Sequence, residues 1–229
     1  MSSVFIISAP SGSGKSTLVE KVRKVVPGLD FSVSYTTRPP RGREQNGREY
    51  FFVSRETFEQ MKQGHEFLEY AEVFGNAYGS AQRFFEQAQQ SGHDLLLDVD
   101  VQGAAQIKRK LPQAVSIFVL PPDRKTLEQR LRNRSLDKEE VIQRRLVTAH
   151  REIEKYREYD YILINDRLEE SIAALKAILL AERMKRGGTE PVAADQETLA
   201  KAEGCRLRNI EARVQPIVAS FAVAAAPGG

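Results

Sequence analysis

The sequence contains one cysteine, no tryptophan and three histidines in 229 residues. A single thiol, Cys205, cannot close an internal disulfide, and one cysteine cannot build a zinc cluster. His65, His93 and His150 stand far apart with no metal-ligand spacing, so surface or capping positions are expected for all three. Purely apolar runs are only a few residues long, which excludes a membrane-spanning helix. The N-terminus MSSVFIISAPSG lacks the basic stretch and long apolar core of a secretory signal. A formal net charge of +3 is too small for a general nucleic-acid-binding coat. These absences lead to the expectation of a cytoplasmic protein with no nucleic-acid or membrane partner. What remains is 41% hydrophobic and 28% charged, a composition that folds into one large or two small globular domains.

Val4 to Ser8 is a short β-branched and aromatic run, followed directly by Ala9-Pro10-Ser11-Gly12-Ser13-Gly14-Lys15-Ser16-Thr17. Leu18, Val22, Val25 and Val26 then recur at helical spacing until Pro27-Gly28 ends the pattern. Strand, glycine-rich turn and helix in that order form a phosphate loop. Glycines let successive N–H groups point at phosphate oxygens, and the helix N-terminus adds its positive end. Lys15 can reach the β- and γ-phosphates, and the Ser16 hydroxyl can ligate Mg²⁺. Ala9 stands where the strict pattern has glycine, a small departure at a position needing little room. The loop predicts nucleotide binding, and taken alone it leaves GTPase, ATPase and kinase chemistry open.

Three further apolar runs, Leu95–Val99, Val115–Leu120 and Tyr161–Ile164, read as strands of a parallel sheet covered on both faces. Helical patterns at roughly 102–110, 124–132, 138–157 and 168–185 alternate with them, which makes the chain α/β. The segment 31–80 breaks this rhythm. It holds strand-like pieces at 31–34 and 50–53 and an amphipathic helix with Phe58 and Met61 inward, and reads as a small α+β domain inserted in the sheet. Within it, Arg38 and Arg41 flank a stiff Pro-Pro step. Two guanidinium groups there could clamp a phosphate or simply be solvated. Read locally, Glu69 is a surface strand residue and Tyr78-Gly79-Ser80 a helix entry. After Gly187-Gly188 the composition becomes mixed, ending in AVAAAPGG, and a flexible or loosely docked extension is expected over 187–229.

With SAPSGSGKST, SVSYTTRPPRGRE, GREYFFV, EFLEYAEVFGNAYGS, LLLDVDVQGA and RLRNRSLDKEEVIQRRL in this order, the chain closely resembles the guanylate kinase family from about Val4 to about Glu182. The resemblance implies phosphoryl transfer from ATP to GMP with Mg²⁺. It implies a core (1–32, 81–123 and 158–186), a GMP-binding insertion (33–80) and a lid with its following helix (124–157). It assigns ATP to the loop Ala9–Thr17 with Asn165 near the adenine. It assigns the GMP phosphate to Arg38, Arg41, Tyr50 and Tyr78, and the guanine side to Ser34, Glu69 and Ser80 with Asp100 nearby.

The chemistry of guanine agrees with that assignment. Its N1–H and N2–H₂ donors form a pair that a carboxylate such as Glu69 can accept, and a hydroxyl such as Ser34 can donate to O6. Adenine would leave the carboxylate unpaired, at a cost of about 1–3 kcal/mol or more.

Between Arg124 and Arg151 nine bases stand against four acids, so positive charge concentrates where a lid is expected. Phosphoryl transfer is mostly positioning and charge neutralisation. The resemblance makes Arg134 and Arg145, then Arg130, the candidates beside Lys15 for the transferring phosphate. Ser135 stands where the family usually has glycine, which bears on hinge behaviour. Asp98, at the end of a buried strand, is expected near Mg²⁺ with Ser16. Two other functions fit less well. A binding module that has lost catalysis would have a degraded phosphate loop, and a kinase of another acceptor would not need Ser34 and Glu69.

Overall fold

The computed structural model of the chain describes residues 2–134, 139–187 and 193–222. In chain order its elements are β1 (Val4–Ser8), α1 (Lys15–Val25), β2 (Leu29–Ser32), β3 (Tyr35–Thr36), β4 (Phe51–Phe52), α2 (Arg55–Gln63), β5 (Phe67–Val73), β6 (Asn76–Ala81), α3 (Gln82–Ser91), β7 (Asp94–Asp98), α4 (Val101–Lys110), β8 (Val115–Leu120), α5 (Arg124–Arg134), α6 (Glu139–Ile153), a 3-10 turn (Glu154–Glu158), β9 (Tyr161–Ile164), α7 (Leu168–Gly187), α8 (Ala193–Gly204) and α9 (Leu207–Ala222). Five strands form a parallel sheet flanked by helices, in the order β2-β7-β1-β8-β9, and four more form a second sheet, β4-β3-β6-β5. Every residue of β1 and β8 is buried. A strand covered on both faces has no solvent side, so these two read as unbroken apolar runs rather than alternating ones. Among the described residues no helix is long and apolar enough to cross a membrane.

The chain divides into two compact units, Met1–Ile6 with Pro27–Val115, and Ile7–Val26 with Ser116–Gly229. In the first, β2 runs parallel to β7 with Leu29 opposite Asp94. The second sheet lies wholly in this unit and has its own core of Tyr35, Phe58, Phe67, Ala77 and Ala81. Ring packing holds it together, with Phe58 stacked on Phe67 at 4.6 Å and Tyr35 on Phe51 at 4.8 Å. Helix α2 starts where the Ser54 hydroxyl accepts the Thr57 N–H, and it buries Phe58. Strands β5 and β6 form a hairpin whose turn, Phe74-Gly75, has positive φ at both residues (50° and 78°), the backbone of a tight hairpin turn. Tyr78-Gly79-Ser80 therefore lies in strand β6 rather than at a helix entry, and helix α3 begins only at Gln82. Glycine and small residues at 77–81 concealed the strand, because its pairing with β5 and β3 comes from partners distant in sequence.

In the second unit β8 and β9 are parallel, with Ile117 opposite Tyr161. The helix expected over 138–157 stops at Ile153 and tightens into the 3-10 turn, which buries Tyr156. A larger correction concerns the end of the chain. Its described part, 193–222, is not a loosely docked tail but the helix pair α8 and α9. In α9, Ile210, Val214, Ile217 and Phe221 recur at helical spacing and are all buried. The helix packs on β9, α5, α6 and α8. The Ile162 N–H donates to the Cys205 carbonyl at 2.8 Å, and Arg206 lies 4.1 Å over the Tyr161 ring while donating to Glu182 at 2.7 Å. Arg208, Glu211 and Arg213 dilute this stripe in the sequence, and its burial depends on a surface that other elements provide.

Candidate active site

The phosphate loop lies in the second unit. It leaves the C-terminal end of β1 and enters α1 through Gly14, which caps the helix at φ 89°. A side chain is excluded there twice over. The left-handed conformation disfavours one, and a Cβ would fall 2.5 Å from Asn165 Nδ2. The turn closes with the Ser13 N–H donating to the Pro10 carbonyl at 3.1 Å. Lys15 and Ser16 open the helix, Lys15 half-buried and Ser16 and Thr17 exposed. The loop thus presents main-chain N–H groups, a helix N-terminus and one lysine together, the components of an anion cradle.

Two residues expected against the nucleotide hydrogen-bond to this loop. Asn165 is buried, and its side-chain amide donates to the Ser13 carbonyl at 2.7 Å. Arg130 donates to the same carbonyl at 3.2 Å and to the Asn165 carbonyl at 3.0 Å. Sequence spacing offers no signal for this, since both partners are more than a hundred residues from the loop. Arg145 is half-buried on α6. The Arg134 side chain and Ser135 lie outside the described residues. Not every base of this segment is available to a ligand. Arg132 is paired with Glu128 at 2.7 Å and with Glu139 at 2.5 Å, exposed contacts that contribute little stability.

The first unit holds a second cluster. Glu69 and Ser80 face each other across β5 and β6, one residue past an irregularity in the strand register. Glu69 is only 4% exposed, and its Oε1 accepts the Ser80 hydroxyl at 2.7 Å. Burial pushes the Glu69 carboxyl up to about 7, with the Asp100 charge adding to the rise and the Ser80 hydrogen bond opposing it. The surface-strand reading of Glu69 is therefore corrected: its side chain is enclosed and costly to ionise.

Asp100 caps α4, accepting the Gly103 N–H at 2.8 Å. Gly103 was not picked out from the sequence as a site residue, yet a Cβ there would sit 2.4 Å from Glu69 Oε2. Only a missing side chain in the first turn of α4 lets the carboxylate lie against that helix. The signal was present as a glycine inside a helical pattern, which needs a packing reason.

At the other edge of this cluster Arg38 is buried and Arg41 exposed. Arg38 lies 5.3 Å over the Tyr50 ring and 5.7 Å over the Phe52 ring. Tyr50 meets Tyr78 edge to face at 5.9 Å. Both Nη atoms of Arg38 donate to Glu44, at 2.9 and 3.0 Å. Burial works against the Arg38 charge, but hydrogen bonds to Glu44 and Tyr78 outweigh it and raise the guanidinium above its ordinary value. Burial also pushes the Tyr50 hydroxyl up to about 12, so it remains a donor at neutral pH. Ser34 is half-buried, and its carbonyl accepts the Phe51 N–H at 2.9 Å, fixing the start of β4 directly after Tyr50. A buried cation with two phenols beside it suits a phosphate. A buried carboxylate with a hydroxyl suits a base edge rich in donors.

The family model for guanylate kinase matches residues 1–182, so α8 and α9 lie beyond it. The guanylate kinase of Koribacter versatilis (strain Ellin345) is 57% identical over 227 residues, covering 98% of this chain and 97% of that one. The guanylate kinase of Escherichia coli (strain K12) is 47% identical over 184 residues, 80% of this chain and 89% of its own. Among solved structures, guanylate kinase from Anaplasma phagocytophilum superposes with a TM-score of 0.68 at 34% identity, covering 80% of this chain and 87% of that one.

Proposed function

The chain belongs to the guanylate kinase family and phosphorylates GMP to GDP with ATP, and from that premise we propose which of its residues carry the reaction. ATP is held by the loop Ala9–Thr17, with Lys15 on the β- and γ-phosphates. Arg130 and Asn165 keep the loop in shape through the Ser13 carbonyl. GMP is held by the first unit. The Glu69 carboxylate accepts N1–H and N2–H₂ of guanine while Ser80 holds its Oε1, Ser34 donates to O6, and Asp100 secures the helix turn against which the carboxylate lies. Arg38, Arg41, Tyr50 and Tyr78 hold the GMP phosphate. In terms of moving parts, 33–80 is the GMP-binding insertion, 124–157 the lid with its helix, and 1–32, 81–123 and 158–186 the core.

A phosphate oxygen of GMP is already anionic, so the attacking group needs no general base. The protein's task is to orient donor and acceptor and to spread charge over the transferring group. Lys15 and Arg145, with Arg134, provide that positive charge. The donor chemistry also suits Mg²⁺. Among the described residues no group of three or more His, Cys, Asp or Glu could cage a metal. Mg²⁺ needs no such cage, since it keeps its waters and binds one or two hard protein oxygens plus phosphates. The hard oxygens we assign to it are the Ser16 hydroxyl, exposed in the second unit, and the Asp98 carboxylate, half-buried in the first. When bound, the ion neutralises charge on the phosphates and so favours the leaving group.

The observation that carries this reading is the buried Glu69–Ser80 pair, whose acceptor pattern matches guanine and not adenine. The test is ADP formation from Mg·ATP with GMP, AMP, CMP and UMP offered separately. Turnover with GMP and little with the others is expected. Comparable rates with AMP would overturn the role of Glu69, and GMP binding without turnover would indicate a binding module.

A further inference from the structure

Glu44 lies outside every role assigned so far, yet its carboxylate accepts three hydrogen bonds at the phosphate cup. Its Oε1 accepts Arg38 Nη2 at 3.0 Å, and its Oε2 accepts Arg38 Nη1 at 2.9 Å. The same Oε2 accepts the main-chain N–H of Arg41 at 2.8 Å. One carboxylate thus fixes the guanidinium of the first arginine and the backbone of the second. The second hydrogen of Arg38 Nη1 goes to the Pro39 carbonyl at 2.7 Å. Arg38 is only 6% exposed, and an unpaired buried guanidinium would be costly, so an anion must accompany it when no phosphate is bound. Burial works against the Glu44 charge, but the hydrogen bonds from Arg38 and the Arg41 N–H outweigh it and hold the carboxyl below its ordinary value, so it stays ionised near neutral pH.

Donor geometry separates support from competition. Glu44 takes the Nη1/Nη2 end of the guanidinium in a fork, which fixes the plane of the group. That plane is also set by the Tyr50 and Phe52 rings, over which the guanidinium lies. The Nε–H and one Nη2 hydrogen are not used by Glu44 or Pro39, and Tyr78 bonds the same group. We propose that Glu44 is a positioning residue for the acceptor phosphate. It orients Arg38 and ties down the Arg41 backbone, so that the Nε–H/Nη2 edge of Arg38, which also bonds Tyr78, is shared between that phenol and the phosphate. This rests on the reading of Arg38 and Arg41 as phosphate ligands.

The test compares GMP with guanosine, which lacks the phosphate, on the full-length chain by calorimetry and steady-state kinetics. Glu44→Ala is expected to weaken GMP about 10- to 100-fold through KM, with a smaller change in kcat and unchanged guanosine affinity. Glu44→Gln keeps one acceptor for Arg38 and should recover part of the loss, and it serves in place of the alanine variant if that protein does not fold. A purely structural role would weaken GMP and guanosine together, overturning the proposal. Tighter GMP binding in either variant would make Glu44 a competitor of the phosphate and overturn it equally. Arg38→Ala is the control for the underlying reading. If it fails to distinguish GMP from guanosine, the phosphate assignment itself is wrong. If it distinguishes them while the Glu44 variants do not, only the role of Glu44 falls.

Discussion

Replacing Glu69 with Gln tests the guanine site through two effects of opposite sign. In the ligand-free protein the carboxyl titrates at about 7 instead of 4.5, because burial penalises its charge. A raised carboxyl pKa stabilises the fold below the unfolded value, where the group is protonated in both states. Stability falls as pH rises from about 4.5 to about 7 and is level above that. The interval corresponds to about 3 kcal/mol of native-state stability missing at pH 8. Glutamine has nearly the same shape, can keep the Ser80 hydrogen bond through its carbonyl oxygen, and bears no charge to desolvate. Glu69→Gln should therefore raise the melting temperature at pH 8 by about 6–12 °C and leave it nearly unchanged at pH 4.5.

Substrate binding should change the other way. Guanine offers two donors, and the variant faces them with one acceptor and one NH₂. Losing a charged acceptor and opposing two donors should cost about 2–3 kcal/mol, or about 30- to 150-fold in KM for GMP, with KM for ATP unaffected. Wild-type affinity should also improve with pH up to about 7, where Glu69 becomes ionised without ligand. The GMP phosphate has its own ionisation at about pH 6, but both proteins share it. The ratio of wild-type to variant KM between pH 5 and 9 therefore isolates Glu69. A flat ratio would refute the ionisation argument, and no thermal gain at pH 8 would refute the burial penalty.

Lys15→Ala removes the one lysine of the phosphate cradle and should lower kcat about 100- to 1000-fold with circular dichroism unchanged, and unaltered turnover would dismiss its role. Gly103→Ala should make α4 intrinsically more stable by up to about 1 kcal/mol, yet raise KM for GMP about tenfold or more, because the new Cβ would occupy the place of Glu69 Oε2. A thermal melt beside GMP kinetics checks both halves of that expectation. Ending the chain at Gly187 should lower the melting temperature by about 5–15 °C, because the surface that buries Ile210, Val214, Ile217 and Phe221 becomes exposed. An unchanged melt would return the extension to the status of a dispensable tail.

The α/β class, the phosphate loop and the family were legible in the linear sequence, and the physical reason is locality. A buried parallel strand must be apolar throughout, a phosphate cradle needs its glycines and lysine within a few residues, and helix α1 follows at once. These constraints act between neighbours along the chain. The rest depended on contacts between residues far apart in sequence. Glu69 reads as a surface strand residue until β6 pairs with β5 and α4 supplies a glycine to lie against. Arg130 and Asn165 are assigned to the nucleotide by resemblance, and only the folded chain shows that both also bond the Ser13 carbonyl. The stripe on α9 looks like any mixed helix until β9, α5 and α6 form the surface that covers it. Residue types and order determined what chemistry was available. Tertiary structure alone decided which groups are buried, and hence which carboxylate is hard to ionise and which arginine needs a carboxylate partner.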